Sequence, residues 1–235
     1  MFTPIKNKKL YRLVIDQIQE MILDGKLKKG DKLPSERDLS NQLKISRTSI
    51  REALRALEIV GLVESRQGEG NFIKGSMESS IFEPLSVMFM LSGGRPQDIL
   101  EVRRIIEVEG AILAAKEIND SQKEELMEIM NQLRNAKDEK ESSEFDRKLH
   151  YMIAKCTGNH IIVNLFNVIS ALMKDFIKDA RWEILKANKS QEFLVNQHQV
   201  ICDAIVENDH VKAGLAMKEH IEYIYNVVEE LNDKW

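Results

Sequence analysis

The sequence predicts a mostly α-helical chain in two parts, a small helical head closed by a β-hairpin and a larger all-helical body. Three observations carry this. Apolar residues recur at helical spacing through most of the 235 residues, the period switches just past Gly61, and charge is divided unevenly between the two ends. Residues 1–75 hold 15 Lys and Arg against 10 Asp and Glu, a net of +5, and the remainder carries −9. A basic head on an acidic body is the asymmetry expected when only one part meets phosphate. The domains are therefore read as residues 1–75 and 76–235, each long enough for a core, with a linker around 71–76.

Two cysteines, Cys156 and Cys202, sit in apolar helical contexts without a framework of paired spacings, as in a reduced cytoplasmic protein. The N-terminus MFTPIKNKKLYR lacks the apolar run of a signal peptide, and nowhere do 18 apolar residues stand together. Neither secretion nor a membrane partner is expected.

In the head, Leu10, Leu13, Val14, Ile18, Met21 and Ile22 predict a helix over 8–24, stopped by Gly25 and Gly30. Pro34 and Ser35 open a second helix, with Ser35 as N-cap and Asp38 supplying an acidic variant of the capping box, and it ends near Leu43. After a break at Lys44 and Ile45, Ser46 caps a third helix with Ile50, Ala53, Leu54 and Leu57 on one stripe. Its other face begins with Arg47, Thr48, Ser49 and Arg51. A helix N-terminus in the major groove offers arginine for bidentate contact with guanine and hydroxyls for phosphates or base edges. One such arginine alone would be an ordinary solvated charge; the cluster at a helix start points to DNA. Leu62–Arg66 and Asn71–Ile73 then read as two short strands joined by a glycine-rich tip, a wing lying along the DNA backbone or minor groove. Gly68 and Gly70 are not followed by the Lys-Ser/Thr of a phosphate-binding loop.

The segments LPSERDLS, SRTSIREALRALE and GLVESRQGEG together resemble the winged helix-turn-helix of GntR-superfamily bacterial transcription regulators. The resemblance implies that Arg37 contacts DNA from the second helix and that Ser46, Arg47, Thr48, Ser49 and Arg51 meet phosphates and bases from the recognition helix. It places Gln67 and Gly68 at the wing tip, where some relatives carry a histidine instead of Gln67.

From Ser79 onward the pattern predicts seven helices, near 79–91, 96–117, 121–138, 141–156, 160–186, 190–207 and 210–232, with Pro84 and Pro96 near helix starts. Gly93–Gly94, Asn119–Asp120, Gly158–Asn159 and Asn208–Asp209 punctuate them, and an antiparallel bundle is the expected architecture. Of five histidines, His150 lies four residues after Asp146 on one helix face beside Phe145, Leu149, Met152 and Ile153. His198 shares a stripe with Leu194, Ile201 and Ile205, and His220 one with Met217, Ile224 and Val227. Three core-facing imidazoles and a carboxylate are costly to bury unpaired. Spacing fixes only the Asp146–His150 pair, so convergence on one metal and three separately satisfied core histidines both fit. His160 and His210 follow turns and read as caps or surface.

The runs FDRKLHYMIA, HQVICDAI and MKEHI resemble the all-helical ligand-binding domain, often called FCD, of the FadR-like subfamily. The resemblance implies that Asp146, His150, His198 and His220 hold a divalent cation, with Zn, Ni, Mn and Fe all suited to imidazole and carboxylate ligands. It also places Arg103 where relatives present an arginine to an effector carboxylate; the plainer reading is an ion pair with Glu107 or Glu101. The apolar, methionine-containing stretch Ile81–Leu91 fits core, or the self-association that relatives make with these early helices.

The expected role is a dimeric repressor on a palindromic duplex operator, released by a small organic acid bound near the metal. Two rivals stand beside it: a constitutive DNA-binding regulator with a purely structural metal, and a metal-dependent hydrolase. The latter lacks an HExxH-like glutamate and a nucleophile motif.

Overall fold

Side-chain caps fix where the second and third helices of the N-terminal unit begin. The structure, a computed structural model, describes residues 10–74, 84–85, 87–89, 91–172 and 191–232, and the chain divides into two units, Met1–Val87 and Met88–Trp235. Of the expected linker stretch 71–76, residues 71–73 are strand and 75–76 lie outside the described residues, as do residues 8–9 of the first expected helix.

The first unit is α1 (Leu10–Leu23), α2 (Glu36–Leu43), α3 (Arg47–Ile59), β1 (Val63–Arg66) and β2 (Gly70–Ile73). The Asp38 amide donates to Ser35 Oγ at 3.2 Å, and the Ser49 amide to Ser46 Oγ at 3.1 Å. Asp38 differs from the expected box: its carboxylate, one methylene shorter than that of glutamate, accepts from the Ser35 hydroxyl at 2.6 Å. Lys44 closes α2 in the left-handed region at φ 57°, which turns the chain into α3. β1 and β2 pair antiparallel, with Val63 opposite Ile73 and Arg66 opposite Gly70. No local pattern signals that the segment before α2 also joins the wing. Lys32 bridges Phe72, the Leu33 amide donates to Asn71 O at 2.8 Å, and the Ile73 amide donates to Asp31 O at 2.8 Å. Val14, Ile18, Leu33, Leu39, Ile50, Ala53, Leu54, Leu57, Val63 and Ile73 form one core, so helices and wing share a single apolar centre.

The second unit contains α4 (Pro96–Glu117), α5 (Asp120–Arg134), α6 (Glu139–Cys156), α8 (Gln191–Val206) and α9 (His210–Asn232), with helical residues 160–172 as α7. Residues 173–190, and with them the rest of the helix expected over 160–186, lie outside the described residues. So does most of the 79–91 helix, although residues 84–85, 87–89 and 91 are helical. The helix expected over 121–138 ends at Arg134, because Asp138 caps the next helix instead, its Oδ1 accepting from the Glu141 amide at 2.8 Å. α4 packs on α9, α6 and α8; α5 packs on α6 and α8; α8 packs on α9. The core between them is built from Ala111, Leu126, Met130, Leu133, Leu149, Met152, Ile201, Ile205, Met217 and Ile221, among others. Asn208, left-handed at φ 58°, donates to Ala115 O at 2.8 Å and ties the α8–α9 turn to α4.

Leu57 is fully buried where α3 meets the rest of the head core. Leu57→Ala is expected to lower the stability of the first unit by about 2–5 kcal/mol, the usual cost of a core cavity. Denaturation followed by circular dichroism checks it, and an unchanged midpoint would remove Leu57 from that core.

Candidate functional site

The first site is the exposed start of α3. Arg47 and Thr48 are exposed and Ser49 half-buried, on the face opposite Ile50, Ala53, Leu54 and Leu57. Ser46 and Ser49 are partly committed to the cap, with their hydroxyl oxygens 3.0 Å apart. Arg51 is half-exposed and gripped by Glu36 of α2 through two hydrogen bonds of 3.0 and 2.7 Å. That grip holds the Glu36 carboxyl below its ordinary range, Arg51's hydrogen bond outweighing burial. Arg37 is exposed on α2, and Gln67 and Gly68 are exposed at the tip of the wing, with Gly68 at φ 77°. The Arg66 guanidinium lies 4.3 Å from the centre of the Phe72 ring and donates from Nε to Glu64 at 2.7 Å, which stiffens the wing behind its tip. Caps and hairpin therefore put hydroxyls, guanidinium groups and free backbone amides on one small unit.

The second site lies inside the helical body. His150, His198 and His220 are each no more than 2% exposed, and one nitrogen from each lies within 4.8 Å of the others. α6 brings in His150 beside Leu149, Met152 and Ile153; α8 brings in His198 beside Leu194, Ile201 and Ile205; α9 brings in His220 beside Met217, Ile221 and Ile224. On α9 Val228 is buried where the sequence pointed to Val227, the stripe drifting by one position over the last turn. His150 Nε2 and His198 Nε2 stand 3.1 Å apart, and Asp146 Oδ1, at the edge of the cluster, is 3.1 Å from His198 Nε2. His160 and His210 are exposed and stand apart from this group.

Two acceptors that the sequence did not single out for this role orient the rings. Glu107 Oε2 lies 2.5 Å from His150 Nδ1, and Gln197 Oε1 lies 3.0 Å from His220 Nδ1. A ring that gives its Nδ1 proton to such a partner turns the Nε2 lone pair toward the cluster. Glu107 is itself paired, buried, with Arg103, so the ion pair expected at (i, i+4) spacing is present. Burial alone would raise the Glu107 carboxyl; Arg103 and then His150 more than offset it and bring it to about 2. Arg103 thus lies within the polar centre through Glu107, whereas Arg104 faces outward, 4.0 Å from Glu222. Glu107 and Gln197 were not legible as ring partners because each acts on a residue from a different stretch of chain.

The donor set fits a divalent cation. Neighbouring ligands held about 2.0–2.1 Å from one ion sit about 2.8–3.4 Å apart, and the 3.1 Å His150–His198 and His198–Asp146 separations fall in this range. His220 Nε2 is buried and has no hydrogen-bond partner among the described residues. Burial, then His198, keeps this ring's pKa well below the ordinary value, and an imidazole held neutral is the form that binds metal.

A capped recognition helix with a wing, joined to a helical body built around a buried polar cluster, defines a DNA-binding regulator with a sensory second domain. Residues 10–73 match the bacterial regulatory proteins of the gntR family, and residues 98–223 match the FCD domain. HTH-type transcriptional regulator LutR of Bacillus subtilis (strain 168) is 31% identical over 211 residues, covering 88% of this chain and 96% of that protein. HTH-type transcriptional repressor NanR of Cronobacter sakazakii is 28% identical, covering 98% and 90%. The solved structure of Streptococcus agalactiae GntR superposes with a TM-score of 0.68 at 28% identity, covering 92% of this chain and 99% of that one. The chain belongs to the gntR family of bacterial regulatory proteins, in the branch whose second domain is FCD. It is therefore a transcriptional regulator and not an enzyme, which sets the hydrolase reading aside. Among the described residues no helix is long and apolar enough to cross a membrane.

Gln197→Leu is expected to weaken metal binding about 10- to 100-fold, the usual effect of losing an outer partner of a ligating imidazole, while His198→Ala strips the metal. Competition with a chromophoric chelator, and metal analysis by inductively coupled plasma, read these out. Full metal retention by His198→Ala would exclude the ring as a ligand.

Proposed function

We propose that the protein is a dimeric repressor whose two winged heads bind an inverted repeat, and whose affinity for that operator is lowered by a small organic acid bound beside a divalent cation in the helical body. The observation that carries this reading is the convergence of His150, His198 and His220 next to the buried Arg103–Glu107 pair. His150, His198 and His220, with Asp146 at the rim, would hold the ion, and bound there the ion supplies a Lewis-acidic position for a carboxylate or hydroxyl oxygen. Arg103 has further N–H groups beyond those facing Glu107, and its planar fork suits the carboxylate of the acid. The repressor sense is supported by NanR, which is named as a repressor. A homodimer matches a pair of recognition helices to a two-fold symmetric site. On the DNA side, Arg37, Ser46, Arg47, Thr48, Ser49 and Arg51 would meet the major groove, and Gln67 and Gly68 the backbone or minor groove at the wing. The coupling required between acid and operator is modest, about 1–3 kcal/mol.

A thermal-shift screen tests the sensory half, with metal-loaded protein measured against hydroxy, keto, sugar and dicarboxylic acids and measured again after chelation. A ligand that binds only the folded protein raises its melting temperature, so a metal-dependent shift with one class of acid is the expected result. Stabilisation by metal with no response to any acid would replace this reading with a structural metal. On the DNA side, Arg47→Ala is expected to reduce affinity for a selected operator about 5- to 150-fold, as for loss of a base-reading arginine. An unchanged binding isotherm would take Arg47 out of the interface.

A further inference from the structure

Glu36 is the first residue of α2 and stands 15 positions before Arg51, yet its carboxylate takes the Arg51 guanidinium side-on. Nε donates to Oε1 at 3.0 Å and Nη2 to Oε2 at 2.7 Å. Arg47 Nη2 lies 4.0 Å from the same Oε2, so the carboxylate lies beside two arginines of the recognition helix. The side chain of Glu36 is 26% exposed and that of Arg51 52%, so the carboxylate is the more enclosed partner while still reaching the surface. A guanidinium carries five N–H groups in a fixed fork. The side-on grip consumes one on Nε and one on Nη2. The end-on pair, one hydrogen each from Nη1 and Nη2, is not used by Glu36, and it suits bidentate contact with O6 and N7 of guanine.

Two consequences follow for binding. A guanidinium already held in one orientation has less rotamer freedom to lose when it docks on a base edge. A carboxylate at the DNA-facing surface also repels every phosphate it approaches, so it weakens binding to all duplexes alike, and only a duplex that offers Arg51 the right acceptors recovers the loss.

We propose that Glu36 is a specificity-determining positioning residue, which orients Arg51 toward a base edge and disfavours duplexes that offer phosphates alone. The proposal rests on the reading of α3 as the face that meets DNA. It assigns Glu36 a role opposite in sign to that of its neighbours: it lowers general affinity and raises discrimination.

The test uses the full chain as wild type, Glu36→Gln, Glu36→Asp and Arg51→Ala. A duplex enriched by the wild type from a pool with a randomised centre is compared with a scrambled duplex by fluorescence anisotropy across a salt series. Glu36→Gln is expected to bind the scrambled duplex more tightly, with a salt slope steeper by about one counterion, and to lose about tenfold in the ratio between the two duplexes. Glu36→Asp keeps the charge at the start of α2 but draws the carboxylate back by one methylene. It is expected to lose the same discrimination with no gain on the scrambled duplex, and it keeps the test decisive if Glu36→Gln weakens α2. Retention of the wild-type ratio by both Glu36 variants, with the ratio lost in Arg51→Ala, would overturn the proposal and leave a surface ion pair. Binding by Arg51→Ala at full strength would also overturn it, since Arg51 would then lie outside the interface, and loss of binding in Arg47→Ala separates that outcome from failure of the α3 reading.

Discussion

An imidazole has two nitrogens, and inside an apolar helix bundle each must face something. Placing three such rings together is the constraint that organises the second unit. His150 faces Glu107 and His220 faces Gln197 through Nδ1, so the remaining nitrogens are turned on one another. Each ring comes from a different helix, and α4 adds the Arg103–Glu107 pair as a fourth contributor. A buried ion pair of this kind adds little net stability, because desolvation consumes most of the Coulombic gain. What it adds is position: Glu107 cannot turn away from His150 without leaving the Arg103 charge uncompensated in the core. The result is a braced polar centre in a core otherwise built mainly of apolar side chains, and a well-oriented donor set is what selective binding of an ion or a small anion requires.

The first unit solves a different problem with different means. Among its described residues no polar side chain is buried, and its order comes from local caps and one shared core. Ser35 and Ser46 spend their hydroxyls on helix starts, and the backbone of residues 30–33 pairs with β2, so the wing is held to the entry of α2. Helix and wing are thereby tied by backbone hydrogen bonds and one core, from which the exposed guanidinium groups project. Two of the long side chains are braced: Arg51 by Glu36, and Arg66 by Phe72 and Glu64.

Legibility in the sequence followed the range of the interaction. Ser35 and Ser46 announce α2 and α3 because a cap acts within three residues, and the Asp146–His150 pair is visible because a helix places i and i+4 on one face. Arg103–Glu107 is legible for the same reason, but its burial is not, since (i, i+4) spacing is indifferent to what packs against the face. The helix expected to run to 138 shows the converse error: Asp138 reads equally well as a helix end or as the cap of the next helix, and only the Glu141 amide decides between them. Glu36–Arg51, Gln197–His220, Glu107–His150 and Lys32–Phe72 all join separate elements, and no local pattern signals them. The convergence of the three histidines belongs to this class too, and there the family resemblance supplied what periodicity left open.

The body also buries two thiols, Cys156 and Cys202, and burial acts on them in the opposite sense to its action on the imidazoles. Burial pushes the Cys156 thiol up to about 11 and the Cys202 thiol higher still. A thiol that does not ionise near neutrality is neither a nucleophile nor a good metal ligand, and it packs as a small apolar side chain. Burial acts on His220 in the opposite chemical sense: it removes a proton instead of retaining one, and so leaves a lone pair available. The same apolar surroundings thus keep the thiols protonated and leave the histidine ring neutral.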